Sequence, residues 1–215
     1  LGAYGASKVI SINDDKLAEK AKLLRSWGRS SSVYKDSEAI ENRFNVEIGG
    51  IEYDAKFVFE EIGYNLEPSE AGAAFGLVQL DKLPNNIDMR IRNFQKQYDF
   101  FKSYENWFTL PQETEGSYTG WLAFPIIVKE TAPFSRRDMQ IFLETHNIQT
   151  RAVMTGNILR QPGYRNIERK ENANGYPEAD RVMRGGILLA CHHGMTKEMM
   201  THVHETFAKF AGQYA

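Results

Sequence analysis

The chain has 215 residues, enough for one large domain or two small ones with a substantial hydrophobic core. Hydrophobic residues make up 42%, charged residues 25%, and the formal net charge is −2, which excludes a disordered chain, a collagen or a coiled coil. There is no basic excess for binding nucleic acid, and no apolar run approaches the roughly 20 residues that span a membrane. Cys191, the single cysteine, cannot form an internal disulfide, which favours a reducing, cytoplasmic compartment.

The first 30 residues predict a buried strand followed by a helix. Residues 9–12 form an apolar, largely β-branched run that is typical of a strand, and Asn13 and Asp14 are candidates for the helix N-cap. Apolar residues then recur at helical spacing until Gly28, which is suited to a left-handed helix end. Because the strand begins without an initiator Met or a signal peptide before it, we expect the chain to be part of a longer protein.

The middle of the chain contains an irregular segment and then a long helix. Residues 31–68 are polar and irregular, and Gly49 with Gly50 indicates a turn within them. After Pro68, apolar residues recur at helical spacing as far as residue 101. Pro84 lies in the middle of this pattern, so we expect it to break or restart the helix.

The last part of the chain alternates between strands and helices. Strands are predicted over residues 121–128, 148–154 and 186–191. Pro125 places the first of these strands at an edge or a bulge, and Ser135 with Asp138 predicts a capping box for the next helix. Thr196 predicts the N-cap of a last helix, whose inward residues are expected to be Met199, Val203, Phe207 and Phe210. This order indicates an α+β domain in which helices cover one side of a small sheet.

The five histidines are poorly spaced for a metal site. His192 and His193 follow the predicted strand over residues 186–191, a place where ligands often bind, although a polar loop without a ligand is the simpler interpretation. His202 and His204 lie two residues apart on the last helix and point to different faces, so we expect both to be solvated. With a single cysteine as well, the sequence predicts no iron–sulfur cluster and no structural metal.

Two polar sites suggest that the chain binds anions. Asn65 lies just before the long helix, where a short polar side chain and free N–H groups suit a phosphate, unless Asn65 merely closes a turn. Arg151 lies on the alternating strand, on the same face as Gln149 and Val153. A guanidinium in such a place has an anionic partner, which is either a protein carboxylate or the phosphate or carboxylate of a ligand.

At these residues the chain resembles the C-terminal half of the DegT-type (DegT/StrS) sugar aminotransferases, which are pyridoxal-phosphate-dependent enzymes. Ile62–Leu66 and the following Ala73–Leu83, with its Gln-Leu pair, are similar to the most recognisable signature of that family. Trp27–Arg29 and Thr150–Pro162 resemble one subgroup, the hexulose-3-dehydrases of deoxysugar pathways. The resemblance covers nearly the whole chain.

The resemblance implies a fold and a division of the chain. We expect the C-terminal part of an aspartate-aminotransferase-like (fold type I) α/β transferase, ending in an α+β domain with a small sheet covered by helices. Residues 1–30 would end the large cofactor domain, residues 31–68 would form an inter-domain and dimer segment, and residues 69–215 would form the small domain with its long connecting helix. The cofactor lysine of the family, or the histidine that replaces it in the dehydrases, would lie before residue 1. The catalytic residue is therefore unknown, and this piece alone would be inactive.

The resemblance also implies ligands and site residues. Pyridoxal phosphate would be the cofactor, and Asn65 would contact its phosphate in the partner subunit of a homodimer. Arg151 would bind a nucleotide sugar, while an amino donor would be the second substrate. Asn157 is a weaker candidate for the same pocket, and the resemblance adds His192 and His193 to the substrate-binding candidates.

Three functions remain open on the sequence alone. The leading hypothesis is transamination of a nucleotide-linked keto sugar in deoxyamino-sugar or lipopolysaccharide biosynthesis. The second is dehydration at carbon 3 of a nucleotide-linked 4-keto-6-deoxyhexose with the same cofactor, although residues 30–34 lack the cysteines of the iron–sulfur dehydrases. The third is a non-catalytic dimerisation and lid domain.

Overall fold

The computed structural model describes residues 10–34, 36, 39–170 and 172–214. These residues belong to two compact units, which we call the N-terminal unit, up to residue 81, and the C-terminal unit, from residue 82 onward. The N-terminal unit contains helix α1 (Asp15–Arg25), the short helix α2 (Ile40–Arg43) and a hairpin of strands β1 (Val46–Ile48) and β2 (Ile51–Tyr53). Helix α3 (Glu70–Lys102) begins in this unit and continues into the next.

The N-terminal unit confirms the predicted cap and turn but not the predicted strand. The Asp14 side chain accepts a hydrogen bond from the Leu17 N–H at 2.9 Å and so caps α1. Gly49 and Gly50 have φ angles of +60° and +83°, which suits the tight turn of the hairpin. The strand expected over residues 9–12 is absent at residues 10–12, and residue 9 lies outside the described residues. No other described segment pairs with residues 10–12, and Ile10 is 78% exposed.

Helix α3 continues through Pro84, so the expected break is wrong. A proline inside a helix removes one backbone hydrogen bond, the one that its nitrogen would donate to the carbonyl four residues earlier. The apolar pattern continues on both sides of Pro84, and the second half of the helix buries Phe94 and Phe101. Packing of that half therefore offsets the loss of a single hydrogen bond.

The C-terminal unit is a four-stranded antiparallel sheet with helices. Its further elements are β3 (Phe108–Thr109), β4 (Ala123–Val128), α4 (Arg136–Thr145), β5 (Arg151–Ala152), α5 (Pro177–Gly185), β6 (Gly186–Ala190) and α6 (Lys197–Ala211). The strand order is β3-β4-β6-β5. The expected small sheet with helices is confirmed, and β3 is a strand that the sequence analysis did not predict.

Two strands of this sheet differ in detail from the prediction. β4 lies between β3 and β6, but β3 pairs only with Ile127 and Val128, so no described strand pairs with β4 on that side at Pro125. β5 has two residues instead of the expected seven at 148–154. Met154 and Gly156 have φ angles of +48° and +61°, and this left-handed backbone ends the extended conformation after Ala152.

The core of the C-terminal unit lies between one face of the sheet and helices α3, α4 and α6. Its buried apolar side chains include Phe101, Phe108, Phe124, Ile126, Met139, Leu143, Ile187, Leu189, Phe207 and Phe210. The predicted capping box of Ser135 and Asp138 is confirmed, and Thr196 caps α6 as expected. Met199, expected to face inward, is 53% exposed, and Met200 is buried instead because it lies seven residues before Phe207 on the same helix face.

Candidate functional site

Asn65 lies in a segment that is held by its backbone against the end of α1. The Tyr64 and Leu66 N–H groups donate to the carbonyls of Leu24 and Arg25 at 2.7 and 2.9 Å. The Trp27 N–H donates to the Tyr64 carbonyl at 2.8 Å. Asn65 itself is exposed, and its side chain makes no hydrogen bond to any described residue. The structure therefore fixes the backbone of Asn65 and leaves its amide accessible.

Two glycines allow this close approach. Gly28 has φ +83°, and a Cβ atom there would lie 1.9 Å from the Glu61 carbonyl oxygen. A Cβ atom on Gly63 would lie 2.3 Å from the Gly28 nitrogen. Both positions therefore require glycine. Two of the sequence segments that carried the family resemblance, Trp27–Arg29 and Ile62–Leu66, are packed directly against each other.

Arg29 is a cation beside the Asn65 segment that the sequence analysis did not single out as functional. Its Cζ atom lies 4.6 Å from the centre of the Trp27 ring, and its Nη2 donates to Ser26 Oγ at 3.5 Å. Ser26 in turn forms an isolated backbone bridge with Asn65. The Nε atom of Arg29 is buried and has no hydrogen-bond partner among the described residues.

Arg151 lies on the edge strand β5 with an exposed side chain. It is paired with Leu188, so it shares the sheet face opposite to the one that buries Ile187 and Leu189. No carboxylate of the described residues forms an ion pair with Arg151. The sequence left open whether the anionic partner of Arg151 is a protein carboxylate or a ligand. The described part of the chain supplies no such carboxylate.

Asn157 is buried, and its amide is used within the chain. Its Nδ2 donates to Asp180 Oδ1 at 2.7 Å, and its Oδ1 accepts from the Leu159 N–H at 3.1 Å. Arg160 donates to both oxygens of the same carboxylate, each at 2.5 Å. The hydrogen bonds of Arg160 and then of Asn157 hold the pKa of Asp180 well below its usual range. Asn157 thus ties the loop after β5 to α5.

His192 and His193 lie in a turn at the end of β6. The Met195 N–H donates to the His192 carbonyl at 3.1 Å, and the Gly194 N–H donates to His192 Nδ1 at 3.1 Å. Neutral His192 therefore carries its proton on Nε2. Burial lowers the pKa of His192, and the positive charges of His193 and Arg90 lower it further.

The arginine and the histidines are separated along the sheet. Arg151 is paired with Leu188, and His192 follows four residues later. At a rise of about 3.3 Å per residue, this spacing amounts to about 13 Å. In the C-terminal unit, Arg151 and the His192–His193 turn are therefore too far apart to contact each other. Asn65 belongs to the N-terminal unit.

The expectation that His204 is solvated is wrong. His204 is half-buried, it stacks on Phe100 with ring centres 4.0 Å apart, and its Nε2 lies 3.0 Å from Gln97 Oε1. Burial lowers its pKa. The helical spacing from Met200 and Phe207 was the signal that could have placed His204 on the inward face.

A cavity of about 650 Å³ in the C-terminal unit contains none of the predicted site residues. Its basic lining residues are Lys129, Arg136, Arg181 and Arg184. Each of these cations already contacts a protein oxygen, for example Glu178 for Arg181 and the Met183 carbonyl for Arg136. We therefore consider the positions above, and not this cavity, to be the candidate site.

Neither a metal site nor a membrane span is found in the part of the chain that the structure describes. Its His, Cys, Asp and Glu side chains form no group of three or more that could hold a metal ion. None of its helices combines the length and the apolar character needed to cross a bilayer. Cys191 is fully buried, and burial raises the pKa of its thiol to about 11, as expected for an inert core residue.

Known proteins resemble this chain in sequence and structure. The lipopolysaccharide biosynthesis protein RfbH of Salmonella typhimurium is 28% identical over 211 residues, which are 97% of this chain and 48% of RfbH. A dTDP-4-dehydro-2,6-dideoxy-D-glucose 3-dehydratase of Saccharopolyspora spinosa is 30% identical over 92% of this chain and 43% of its own length. The chain thus spans about half the length of the curated relatives it matches.

A solved structure shares the fold. The E. coli GDP-4-keto-6-deoxy-D-mannose-3-dehydratase with bound hydrated pyridoxal phosphate superposes with a TM-score of 0.74 at 23% identity, covering 90% of this chain and 48% of that one. The model of the DegT/DnrJ/EryC1/StrS aminotransferase family matches residues 1–208. The chain therefore belongs to the DegT/DnrJ/EryC1/StrS aminotransferase family.

Proposed function

We propose that this chain is part of a pyridoxal-phosphate-dependent enzyme that modifies a nucleotide-linked sugar. The family membership and the names of the relatives support this function. When bound, pyridoxal phosphate supplies an electron sink for bond breaking at the substrate. The observation that carries the proposal is Asn65, whose backbone is fixed by hydrogen bonds on both sides while its amide remains without a partner among the described residues.

Asn65 fits a phosphate of the cofactor. An asparagine side chain can donate two N–H groups, and a phosphate oxygen is a strong acceptor. A rigid backbone lowers the entropy lost when these hydrogen bonds form. In the proposed enzyme, the Asn65 amide therefore binds and orients the phosphate end of pyridoxal phosphate held by a partner subunit.

A homodimer is part of this proposal. The N-terminal unit exposes large apolar side chains, among them Ile40, Phe44, Ile51, Phe59, Ile62 and Leu66. Monomeric proteins rarely expose so many apolar groups in one region. Because Ile62 and Leu66 lie on either side of Asn65 in the sequence, we propose that a second copy of the full-length protein covers this surface. Analytical ultracentrifugation of the full-length protein is expected to give a dimer, and a monomer at micromolar concentration would contradict this part of the proposal.

Arg151 is the proposed anchor for the nucleotide sugar. Its guanidinium is exposed and free of ion pairs to described residues, and its planar fork matches phosphate and hydroxyl oxygens. Asn157 acts through its bonds to Asp180 and Leu159, so we assign it a positioning role for the loop after β5. His192 and His193 remain substrate-side candidates.

The names of the relatives favour dehydration at carbon 3 of the sugar as the reaction. The Saccharopolyspora relative is named as a 3-dehydratase, and so is the E. coli protein of known structure. Transamination of a keto sugar remains the second candidate, because the matching family is described as an aminotransferase family. The chain has one cysteine, so it cannot by itself supply the four thiolates of an all-cysteine iron–sulfur cluster.

Product analysis with the full-length protein tests both reactions. The protein is loaded with pyridoxal phosphate, followed by absorbance, and then incubated with a dTDP- or GDP-linked 4-keto-6-deoxyhexose and L-glutamate. Dehydration removes the hydroxyl at carbon 3 from the sugar, whereas transamination replaces the keto oxygen with an amino group, and mass spectrometry separates the two products. A full-length protein that binds no cofactor would contradict the proposed function.

A further inference from the structure

Two buried amide side chains on one face of α3 form hydrogen bonds with the backbone at the end of β6 and in the turn that follows it. Gln97 Nε2 donates to the Ala190 carbonyl at 3.0 Å, and Asn93 Nδ2 donates to the His192 carbonyl at 2.9 Å. Residues four apart share one face of a helix, so the contacts proceed toward the start of α3 as the chain leaves β6. Arg90 lies three residues before Asn93 on this face. Its position is therefore beside the turn that contains His192 and His193.

Two nitrogen atoms at this place have no hydrogen-bond partner among the described residues. Arg90 Nε and His193 Nδ1 are both buried, and neither makes a hydrogen bond to a described residue. Most buried side-chain polar atoms in proteins are hydrogen-bonded, and leaving one unpaired costs about 1–3 kcal/mol. Two such atoms near one turn leave hydrogen-bonding capacity that a ligand can use.

The charges at the turn are all of one sign. Arg90 comes from α3, while His192 and His193 come from the turn itself. Besides burial, the groups that lower the pKa of His192 are His193 and Arg90, and no carboxylate contributes. Cys191 at the end of β6 adds no negative charge near neutral pH, because burial raises the pKa of its thiol to about 11. The described residues therefore provide three cationic or cationisable groups without a counter-ion.

We propose that Arg90, His192 and His193 form an anion-binding site that takes a phosphate group. The guanidinium provides a permanent charge with several N–H donors, and the imidazoles add donors and, when protonated, further charge. Asn93 and Gln97 are positioning residues, because they hold the carbonyls of His192 and Ala190 against α3. The existence of the site does not depend on the proposed function. Only the identity of its ligand rests on that function, since a nucleotide sugar carries such phosphates.

Sulfate binding to the full-length protein tests the site. The protein is first saturated with pyridoxal phosphate, and sodium sulfate is then titrated by calorimetry between pH 5 and 8, the range in which histidines change charge. Sulfate stays a dianion throughout, so any pH dependence reports the protein. We expect its affinity to fall as the pH rises through the lowered pKa of His192, because that imidazole then loses its positive charge. Addition of GDP, dTDP or inorganic phosphate is expected to displace sulfate, and their relative strength distinguishes a nucleotide from free phosphate.

Variants on α3 separate this site from general charge effects. Arg90→Ala should weaken sulfate binding about ten- to a hundredfold, because a hydrogen bond to a charged group is worth about 1.5–3 kcal/mol. The matched control is Arg92→Ala, which removes an exposed arginine of the same helix and should leave binding unchanged. His193→Gln and Arg90→Lys provide a second pair of variants if Arg90→Ala does not fold. Arg90→Lys should retain part of the affinity, and His193→Gln should weaken sulfate binding, because it alters the unpartnered ring nitrogen.

Two results would overturn the site. The first is equal sulfate binding by the wild type, Arg90→Ala and His193→Gln. The second is no sulfate binding by the wild type at all, which would mean that water alone satisfies the two nitrogen atoms. Loss of sugar-modifying activity with sulfate binding retained would instead contradict the proposed function and leave the anion site intact. The two failures are therefore distinguishable.

Discussion

Different interactions hold each of the two units together internally. The C-terminal unit buries large apolar side chains between its sheet and three helices, with Phe101, Phe124 and Phe207 fully inaccessible. In the N-terminal unit, the buried residues among those described are Ser26, Gly28 and Ser30, and none of them carries a large apolar side chain. Backbone hydrogen bonds and glycine contacts therefore determine the local geometry of the N-terminal unit, whereas side-chain packing determines that of the C-terminal unit.

This difference matches the roles that we propose for the two units. A segment held by its backbone can keep Asn65 in place while its apolar surface remains available to a second copy of the protein. A packed core can support Arg151 on an edge strand without using its charge for stability. The following predictions test this comparison, from the largest expected effect to the smallest.

Removal of a core side chain should have the largest effect. Phe101→Ala leaves a cavity among Phe108, Phe124 and Phe207 and should lower the free energy of unfolding by about 3–5 kcal/mol. Phe44→Ala in the N-terminal unit, where the ring is 57% exposed, should change it by less than about 0.5 kcal/mol within one subunit. Urea unfolding at low protein concentration measures both values. Equal losses in the two variants would contradict the comparison.

A methyl group at the glycine contact should disturb the N-terminal unit. Gly63→Ala places its Cβ atom against the backbone nitrogen of Gly28 and should cost about 1–3 kcal/mol, with displacement of the Asn65 segment. Gly76→Ala is the control, because no atom lies within 4 Å of its added Cβ and alanine favours a helix by about 0.8–1.0 kcal/mol over glycine. Thermal unfolding should therefore move in opposite directions for the two variants. A Gly63→Ala protein as stable as the wild type would show that the contact is not tight.

Substitution of Arg151 should affect the substrate more than the fold. Arg151→Ala is expected to raise KM for the nucleotide sugar about ten- to a hundredfold, with a smaller change for the amino donor, because a charge-assisted hydrogen bond is lost. Arg160→Ala is the contrasting variant, since Arg160 is paired with Asp180 inside the chain. Steady-state kinetics and thermal unfolding are measured on both variants of the full-length enzyme. A destabilised Arg151→Ala protein with normal substrate affinity would exclude the substrate-binding role.

The half-buried His204 should give the smallest effect, visible as a pH dependence of stability. Burial lowers its pKa in the folded protein, so the unfolded chain binds more protons once the pH falls below about 6.5. Stability should therefore decrease as the pH falls from about 6.5 through the lowered pKa. His204→Gln should reduce the dependence of stability on pH. His192, whose pKa is also lowered, contributes part of the dependence that remains in this variant. An identical slope in His204→Gln, measured by urea unfolding at several pH values, would show that His204 does not cause it.

Local sequence patterns predicted the caps and turns well because those features depend on neighbouring residues. Asp14, Ser135 and Thr196 cap their helices as expected, and Gly28 adopts the predicted left-handed backbone. The predicted strand over residues 148–154 failed because the turn after Ala152 depends on Gly156, whose added Cβ would lie 2.5 Å from Met183 far along the chain.

The candidate site was predicted only in part for the same reason. Arg151 and the His192–His193 turn could be identified as polar positions near strands, but their partners could not. The placement of Arg90 beside the turn depends on two contacts between residues far apart in sequence. Gln97 contacts Ala190 at the end of β6 across 93 residues, and Asn93 contacts His192 in the turn across 99 residues, which no local pattern records. Asn65 was identified from the sequence as a candidate for binding a phosphate, and its cofactor role was assigned through a family resemblance. Its close contact with the end of α1 became visible only in the structure.

The cofactor affinity of an Asn65 variant tests the central claim most directly. In the full-length protein, Asn65→Ala should weaken pyridoxal phosphate binding about tenfold or more, since it removes a hydrogen bond to a charged phosphate, while thermal stability without cofactor stays unchanged. Asn45→Ala, at another exposed asparagine of the same unit, is the matched control and should bind the cofactor like the wild type. An Asn65→Ala protein that binds pyridoxal phosphate as tightly as the Asn45→Ala protein would contradict the account.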